Sequence, residues 1–191
     1  MAKRRGASSP ETTAPVAIRE RYAATGVEAF YRAEGAAYRN PHEPALRRCL
    51  ATVCALWEPD LARVLDLACG SGEATLALRA LGCQEVVGVD PYTGTAYRER
   101  TGQEALALGF AEIAAGDLDG HRYTIIVCSF ALHLAERSRL PLLAARLTAL
   151  APALLVLTPH KRPHLHPAWG WQLREEFVQE RVRARLYDRS G

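Results

Sequence analysis

Apolar and polar positions along this chain change rhythm partway through. From Ala17 to about Ala33, and again from about Glu43 to Trp57 after the Asn40-Pro41 break, apolar residues recur at helical spacing and predict two leading helices. From Arg63 the pattern becomes short apolar runs separated by helical stretches. The runs are Arg63-Val64-Leu65-Asp66-Leu67, Glu85-Val86-Val87-Gly88-Val89-Asp90, a weaker one at Ala111 to Ala115, Tyr123-Thr124-Ile125-Ile126-Val127-Cys128, and Ala153-Leu154-Leu155-Val156-Leu157-Thr158. Helical spacing fills the intervals from Glu73 to Leu81, from about Ala96 to Leu108 and from about Pro141 to Leu150. Strands that alternate with helices and are apolar nearly throughout predict an α/β fold: a doubly wound, mostly parallel sheet with right-handed crossovers.

After His160 only 31 residues remain. Trp171 to Gln179 reads as a helix, and the alternating Val182, Ala184 and Leu186 read as a sixth strand.

A chain of 191 residues, 49% of them hydrophobic, suits one substantial core. Residues 1–15, basic at Lys3, Arg4 and Arg5 and then rich in Ser, Thr and Pro, read as a disordered tail. Residues 16–191 read as a single domain: a helical segment over 16–58, a core over 62–160 and a C-terminal segment over 161–191. The basic start is not followed by an apolar stretch, and no run approaches the roughly 20 apolar residues of a membrane span. The expectation is a cytoplasmic protein with no membrane partner. The five cysteines are scattered through apolar segments without zinc-site spacing, which fits reduced core thiols. A formal charge of +3 falls short of the dense basic stripe of a dedicated nucleic-acid binder, and composition does not fix the oligomeric state.

The most informative segment is Asp66-Leu67-Ala68-Cys69-Gly70-Ser71-Gly72-Glu73. Its glycines permit positive φ and close approach of a ligand to the backbone, and the helix that follows opens with exposed amides. A dinucleotide site would place a pyrophosphate there, using a third Gly or Ala where this chain has Thr75, and Asp66 would repel that pyrophosphate. The carboxylate suits a cationic ligand bearing an ammonium group.

With Asp66 to Gly72 matching acidic-x-x-x-Gly-x-Gly, the sequence resembles the class I, Rossmann-like methyltransferase family over about Arg63 to Thr158. The resemblance implies the Rossmann-like methyltransferase fold, S-adenosylmethionine as cofactor, and a methionine-side role for Asp66, Ala68, Gly70 and Gly72. It also implies that Asp90, at the end of the second strand, holds the ribose hydroxyls, with Pro91 near the adenine. Gly116-Asp117-Leu118 resembles the adenine-binding position after the third strand, where Asp117 would accept from the amino group and Leu118 would pack on the ring. Cys128-Ser129-Phe130-Ala131-Leu132-His133-Leu134 resembles the segment after the fourth strand of small-molecule methyltransferases, and places Ser129 at the cofactor. Each feature has a simpler reading as a turn or helix cap, but together they fall at the carboxyl ends of successive strands, where open α/β sheets bind ligands.

A sulfonium-activated methyl group requires alignment and exclusion of water more than catalytic groups. His133 is the candidate general base, against the alternative that it caps or packs. Tyr38, Arg39 and His42, in a polar cluster that also includes Tyr31-Arg32, are candidates for the acceptor pocket or its lid, against the alternative of a helix-capping loop. His160 opens a third cluster, His160-Lys161-Arg162-Pro163-His164-Leu165-His166, followed by Trp169 and Trp171; its spacing matches no metal motif, so no metal is expected, and His160 is instead a candidate for contact with an anionic or aromatic acceptor. The family's domain has two further strands after the fifth, which 31 residues scarcely accommodate together with a helix; the expectation is a shortened C-terminal end with one strand missing. A small-molecule acceptor is the leading expectation. The alternatives are RNA or protein methylation, helped by Lys161, Arg162, Arg181, Arg183 and Arg185, and a catalytically silent binding module. A nicotinamide-dependent oxidoreductase is the remaining enzyme alternative, disfavoured by Thr75 and Asp66.

Overall fold

Four short apolar runs form the parallel centre of one six-stranded sheet in a computed structural model that describes residue 35 and residues 38–191. The elements are α1 (Glu43–Trp57), β1 (Arg63–Leu67), α2 (Glu73–Ala80), β2 (Glu85–Val89), α3 (Gly94–Thr101), α4 (Phe110–Ala115), β3 (Ile125–Ser129), α5 (Leu140–Leu150), β4 (Ala153–Thr158), β5 (Trp171–Gln179) and β6 (Val182–Arg189). Strand order is β2-β1-β3-β4-β6-β5, with β1 to β4 parallel and β6 antiparallel to both β4 and β5. The tail at 1–15, the first leading helix and Tyr31-Arg32 lie outside the described residues.

Alternation along each central strand sends side chains to two cores. Val64, Ile125, Val127, Leu155 and Leu157 meet Leu46, Leu50 and Val53 of α1 and Ala77 and Leu78 of α2. Leu65, Leu67, Ile126, Cys128, Leu154 and Val156 meet Ile113 of α4 and Leu143, Ala144 and Leu147 of α5. The result is a sheet between two helical layers, the arrangement that buries both faces of a parallel sheet. All five cysteines are free.

Three expected elements are corrected. Ala111 to Ala115 is not a strand but most of α4: alanine favours helix, the Glu112 carboxylate accepts the Gly109 N–H at 3.0 Å, and Gly116 closes the helix at φ 110°. The edge position outside β2 is taken by Leu106 alone, whose N–H donates to Gly88 O at 2.8 Å and whose carbonyl accepts from Asp90 N at 3.0 Å. The helix expected to reach Leu108 ends at Thr101, where Gly102 adopts φ 73°.

Trp171 to Gln179 is strand β5, not a helix. As the edge strand, with a register shift between Leu173 and Glu175, it leaves Arg174, Glu175 and Glu176 exposed, and pairing with β6 overrides the helical preference of those residues. The Glu180-Arg181 turn, with φ 48° and 69°, reverses the chain within two residues. Both strands of the C-terminal hairpin are therefore present. What the shortened end lacks is a helix, replaced by an extended segment with one 3₁₀ turn at Pro167–Trp169.

Candidate active site

The turn from β1 into α2 has positive φ at Ala68 (58°), Gly70 (55°) and Gly72 (89°). The left-handed conformation costs a non-glycine residue about 1–2 kcal/mol, and the residue after Ala68 is fixed at both of its backbone groups, Cys69 N–H to Val89 O at 3.0 Å and Gly72 N–H to Cys69 O at 2.9 Å. The two glycines serve different neighbours. A Cβ on Gly70 would meet the Tyr38 ring at 3.2 Å, and one on Gly72 would meet Thr101 Cγ2 at 2.5 Å. Gly70 thus lets the segment before α1 lie on the turn, and Gly72 lets α3 pack beneath it.

Asp66 is fully buried. Its Oδ2 accepts from Thr75 Oγ1 at 2.6 Å, and that hydroxyl lies 3.1 Å from Tyr97 Oη. Its Oδ1 has no hydrogen-bond partner among the described residues. Burial pushes the Asp66 carboxyl up to about 7; the Thr75 bond works against this, and the Glu73 and Asp90 carboxylates add to it. Asp90 is half-buried at the end of β2. Its Oδ1 accepts from Tyr92 N at 2.9 Å and Thr93 N at 3.0 Å, and its Oδ2 from Gly70 N at 3.3 Å. It therefore ties the β2 end to the glycine turn and still offers a lone pair on Oδ2 to a ligand.

A cavity of about 670 Å³ opens at this carboxyl end of the sheet, within the range of small-molecule sites. Of the expected residues, Ala68, Gly70, Asp90, Pro91, Ser129 and Tyr38 line it. Asp66 stands behind the lining with its orphaned oxygen, and Gly72 faces α3. This donor set fits S-adenosylmethionine: a glycine turn open to close approach, a carboxylate at the end of β2, and a buried carboxylate left with an unmet acceptor.

Other expected residues fall elsewhere. Asp117 is exposed and Leu118 is buried in the core beyond α4; neither lines the cavity, because the strand supposed to end there is a helix. The wall on that side is built by Leu108, Gly109 and Phe110, between the Leu106 bridge and α4. His133 is outside the lining. Its ring packs against His160 with centroids 4.3 Å apart, its Nδ1 is buried without a partner among the described residues, and burial followed by the His160 charge lowers its pKa to about 4. A weakly basic imidazole away from the cavity is a poor general base, so the geometry corrects that expectation; His160, the acceptor-contact candidate, is likewise outside the lining. Arg39 is exposed and hydrogen-bonds Tyr38 O; His42 is off the lining but stacks on Phe130, which is part of it, at 5.6 Å. Phe130 is held at φ 56°, with its N–H donating to Leu157 O at 2.7 Å.

The sequence reading missed Glu73. Buried at the start of α2, it lines the cavity, and its Oε1 accepts from Asn40 N at 3.0 Å and from Ser71 Oγ. An acid directly after the second glycine resembles any helix-opening residue, and the partner 33 positions away is invisible in sequence. Also missed were Leu134, Glu136, Arg139 and Leu143 on the far wall. Two of the four arginines considered for RNA are engaged: Arg185 is buried and Arg183 is half-buried, and both pair with Glu176. Among the described residues no group of three or more His, Cys, Asp or Glu could hold a metal ion, and no helix is long and apolar enough to cross a membrane.

Residues 64–153 match the family model described as "Methyltransferase domain". An uncharacterized protein of Schizosaccharomyces pombe, C17A5.05c, is 34% identical, over 91% of this chain and 92% of its own. Among solved structures, the 1,6-didemethyltoxoflavin-N1-methyltransferase of Burkholderia thailandensis, with bound 1,6-didemethyltoxoflavin and S-adenosylhomocysteine, superposes with a TM-score of 0.65 at 19% identity, covering 94% of each chain. The magnesium protoporphyrin IX methyltransferase of Synechocystis, with bound S-adenosylmethionine, gives 0.57 at 19% identity over 91% of this chain and 95% of its own. Residues 64–153 belong to the methyltransferase domain family, and the chain shares the Rossmann-like fold of class I S-adenosylmethionine-dependent methyltransferases. The methyltransferase domain, together with the donor set of the cavity, supports S-adenosylmethionine as the cofactor.

Proposed function

We propose that this enzyme methylates a small molecule held in the cavity beside the cofactor. The observation that carries this reading is the cavity itself: Tyr38 and Asn40 lie across the glycine turn beside it, and Phe110, Phe130, Leu134 and Leu143 give the remaining wall an apolar surface next to Glu136 and Arg139. A concave site of this size suits a compact acceptor. The two structural neighbours named above are methyltransferases of magnesium protoporphyrin IX and 1,6-didemethyltoxoflavin, both small molecules, which supports the same reading.

Bound S-adenosylmethionine supplies a methyl group activated by its sulfonium, which an acceptor lone pair takes with S-adenosylhomocysteine as leaving group. In this reading Asp90 holds the ribose hydroxyls, Pro91 and Leu108 to Phe110 flank the adenine, and the Ala68 to Gly70 backbone meets the methionine end. Asp66 acts on the amino group from behind the lining, through water. Tyr38 and Phe130 face the acceptor and hold it in line. No residue is assigned as general base.

The test is calorimetric titration of S-adenosylmethionine and, separately, NAD, with Asp90→Ala as control, followed by transfer of labelled methyl to fractionated small-molecule, RNA and protein pools. The expected result is S-adenosylmethionine binding weakened in the variant by about 1–3 kcal/mol, the cost of an unpaired polar partner, and label in the small-molecule pool. Label in RNA or protein, or NAD binding in place of S-adenosylmethionine, overturns the reading. Binding with no transfer to any pool would favour a silent module instead.

A further inference from the structure

Arg100, on α3 and outside the cavity lining, reaches three groups from two other parts of the chain. Its Nη2 donates to both Glu43 carboxylate oxygens at 2.7 and 2.9 Å, and its Nη1 lies 3.1 Å from Ser71 Oγ and 3.2 Å from Glu73 Oε1. Glu43 is the first residue of α1 and Glu73 the first of α2. The same Glu73 oxygen also accepts the backbone N–H of Asn40. One guanidinium thus joins the start of α1, the end of the glycine turn and, through Glu73, the Tyr38–Asn40 segment that covers the turn.

Charge explains why an arginine is required. Glu43 and Glu73 face a common centre, and Glu73 is only 4% exposed at its side chain. Without a cation between them, two carboxylates would repel at short range with little water to screen them. The planar fork is what allows bidentate contact with Glu43 while the other nitrogen serves Ser71 and Glu73. Gly35 lies close to the end of the sheet on the same side: a Cβ there would sit 2.5 Å from Tyr92 O.

We infer that Arg100 is a positioning residue, a clasp that holds the Tyr38–Asn40 segment closed over the cofactor cavity by bridging Glu43 to Ser71 and Glu73. It touches neither cofactor nor acceptor and acts through Glu73 and α1. This inference rests on the assignment of the cavity to S-adenosylmethionine, but its mechanical part does not.

The experiment compares wild type, Arg100→Met, Arg100→Lys and Glu43→Gln by two readouts. Hydrogen exchange reports the Asn40 amide directly, with β1 and β3 amides as internal controls. Titration reports S-adenosylmethionine affinity. Arg100→Met is expected to speed exchange at Asn40 while the strand controls stay protected, and to weaken S-adenosylmethionine binding about tenfold. Glu43→Gln should do part of the same, and Arg100→Lys should restore part. Unchanged exchange at Asn40 in Arg100→Met overturns the clasp. So does faster exchange spread evenly over the strands, which would mark general destabilisation. If wild type binds no S-adenosylmethionine, the cofactor assignment fails while the exchange comparison still decides the clasp.

Discussion

Thr75 donates its hydroxyl to Asp66 Oδ2 at 2.6 Å, and Tyr97 Oη sits 3.1 Å from the same Thr75 oxygen, so three buried side chains from β1, α2 and α3 fix one carboxylate behind the glycine turn. The other carboxylate oxygen is left unpaired among the described residues. Burial first, and the neighbouring Glu73 and Asp90 after it, hold Asp66 at about 7 despite the Thr75 bond.

The direction of that shift has a sign in stability. The folded protein keeps the Asp66 proton over a range in which an unfolded chain, with its carboxyl near ~4, has lost it. This contribution is therefore greatest at acid pH and is lost as pH rises through about 7. Urea unfolding of Asp66→Asn between pH 5 and 8 should show a flatter decline than wild type; parallel profiles would contradict the assignment. A cationic ligand nearby favours ionised Asp66, so S-adenosylmethionine binding near neutral pH should release a proton, visible as a buffer-dependent heat that Asp66→Asn abolishes.

His133 carries the opposite sign. Its folded pKa of about 4, lowered by burial and then by His160, lies below the ordinary histidine value of about 6.5. The unfolded chain takes up this proton first, so the contribution is present above about 6.5 and lost as pH falls toward about 4. His133→Gln should soften acid unfolding and leave kcat largely unchanged. A loss of about 10²–10⁴ in kcat, the size expected for a general base, would return His133 to the chemistry.

Gly88 is required by contact. A Cβ there would lie 2.5 Å from Tyr97 Cζ, in the strand paired with β1 at Asp66. Gly88→Ala should destabilise by about 1–3 kcal/mol through overpacking, read as a lower Tm. In a Tyr97→Leu background the additional cost should shrink, and equal costs in both backgrounds would mean that the ring is not the obstacle.

Arg185, 1% exposed, donates to Glu176 at 2.6 Å and to the carbonyls of Lys161 and Pro163 at 2.8 and 3.2 Å. Arg185→Met should cost about 2–3 kcal/mol, less than a fully buried pair because Glu176 keeps some solvent. Limited proteolysis should then cut near Lys161 faster than in wild type, and Arg185→Lys should not restore protection, since a lysine cannot reach all three acceptors at once.

The parallel centre of the sheet was legible because β1, β2, β3 and β4 are apolar on both faces, a pattern that depends on no distant partner. The glycine turn and Asp90 were legible for a related reason: backbone geometry and carboxylate chemistry are local. The failures share the opposite property. Ala111 to Ala115 was read as a strand from its small apolar residues, though the Glu112 bond to Gly109 and the Gly116 cap decide for helix. Trp171 to Gln179 was read as a helix because its partner β6 supplies the strand character. Asp117 and Leu118 fell with the misplaced strand, and Glu73 was overlooked because what distinguishes it, Asn40 and Arg100, is brought near only by folding.

The seat of α1 has a consequence for the order in which this protein becomes itself. Leu46, Leu50 and Val53 rest partly on Val182, Ala184 and Leu186, and Arg48 pairs with Glu180 across 132 residues of chain. A helix synthesised early therefore waits for the last described strand before its docking surface is whole. The segment that roofs the cavity is attached to that helix. Until β6 has been made, the surface on which this helix rests lacks Val182, Ala184 and Leu186, and its N-terminal neighbour segment sits on an incomplete seat.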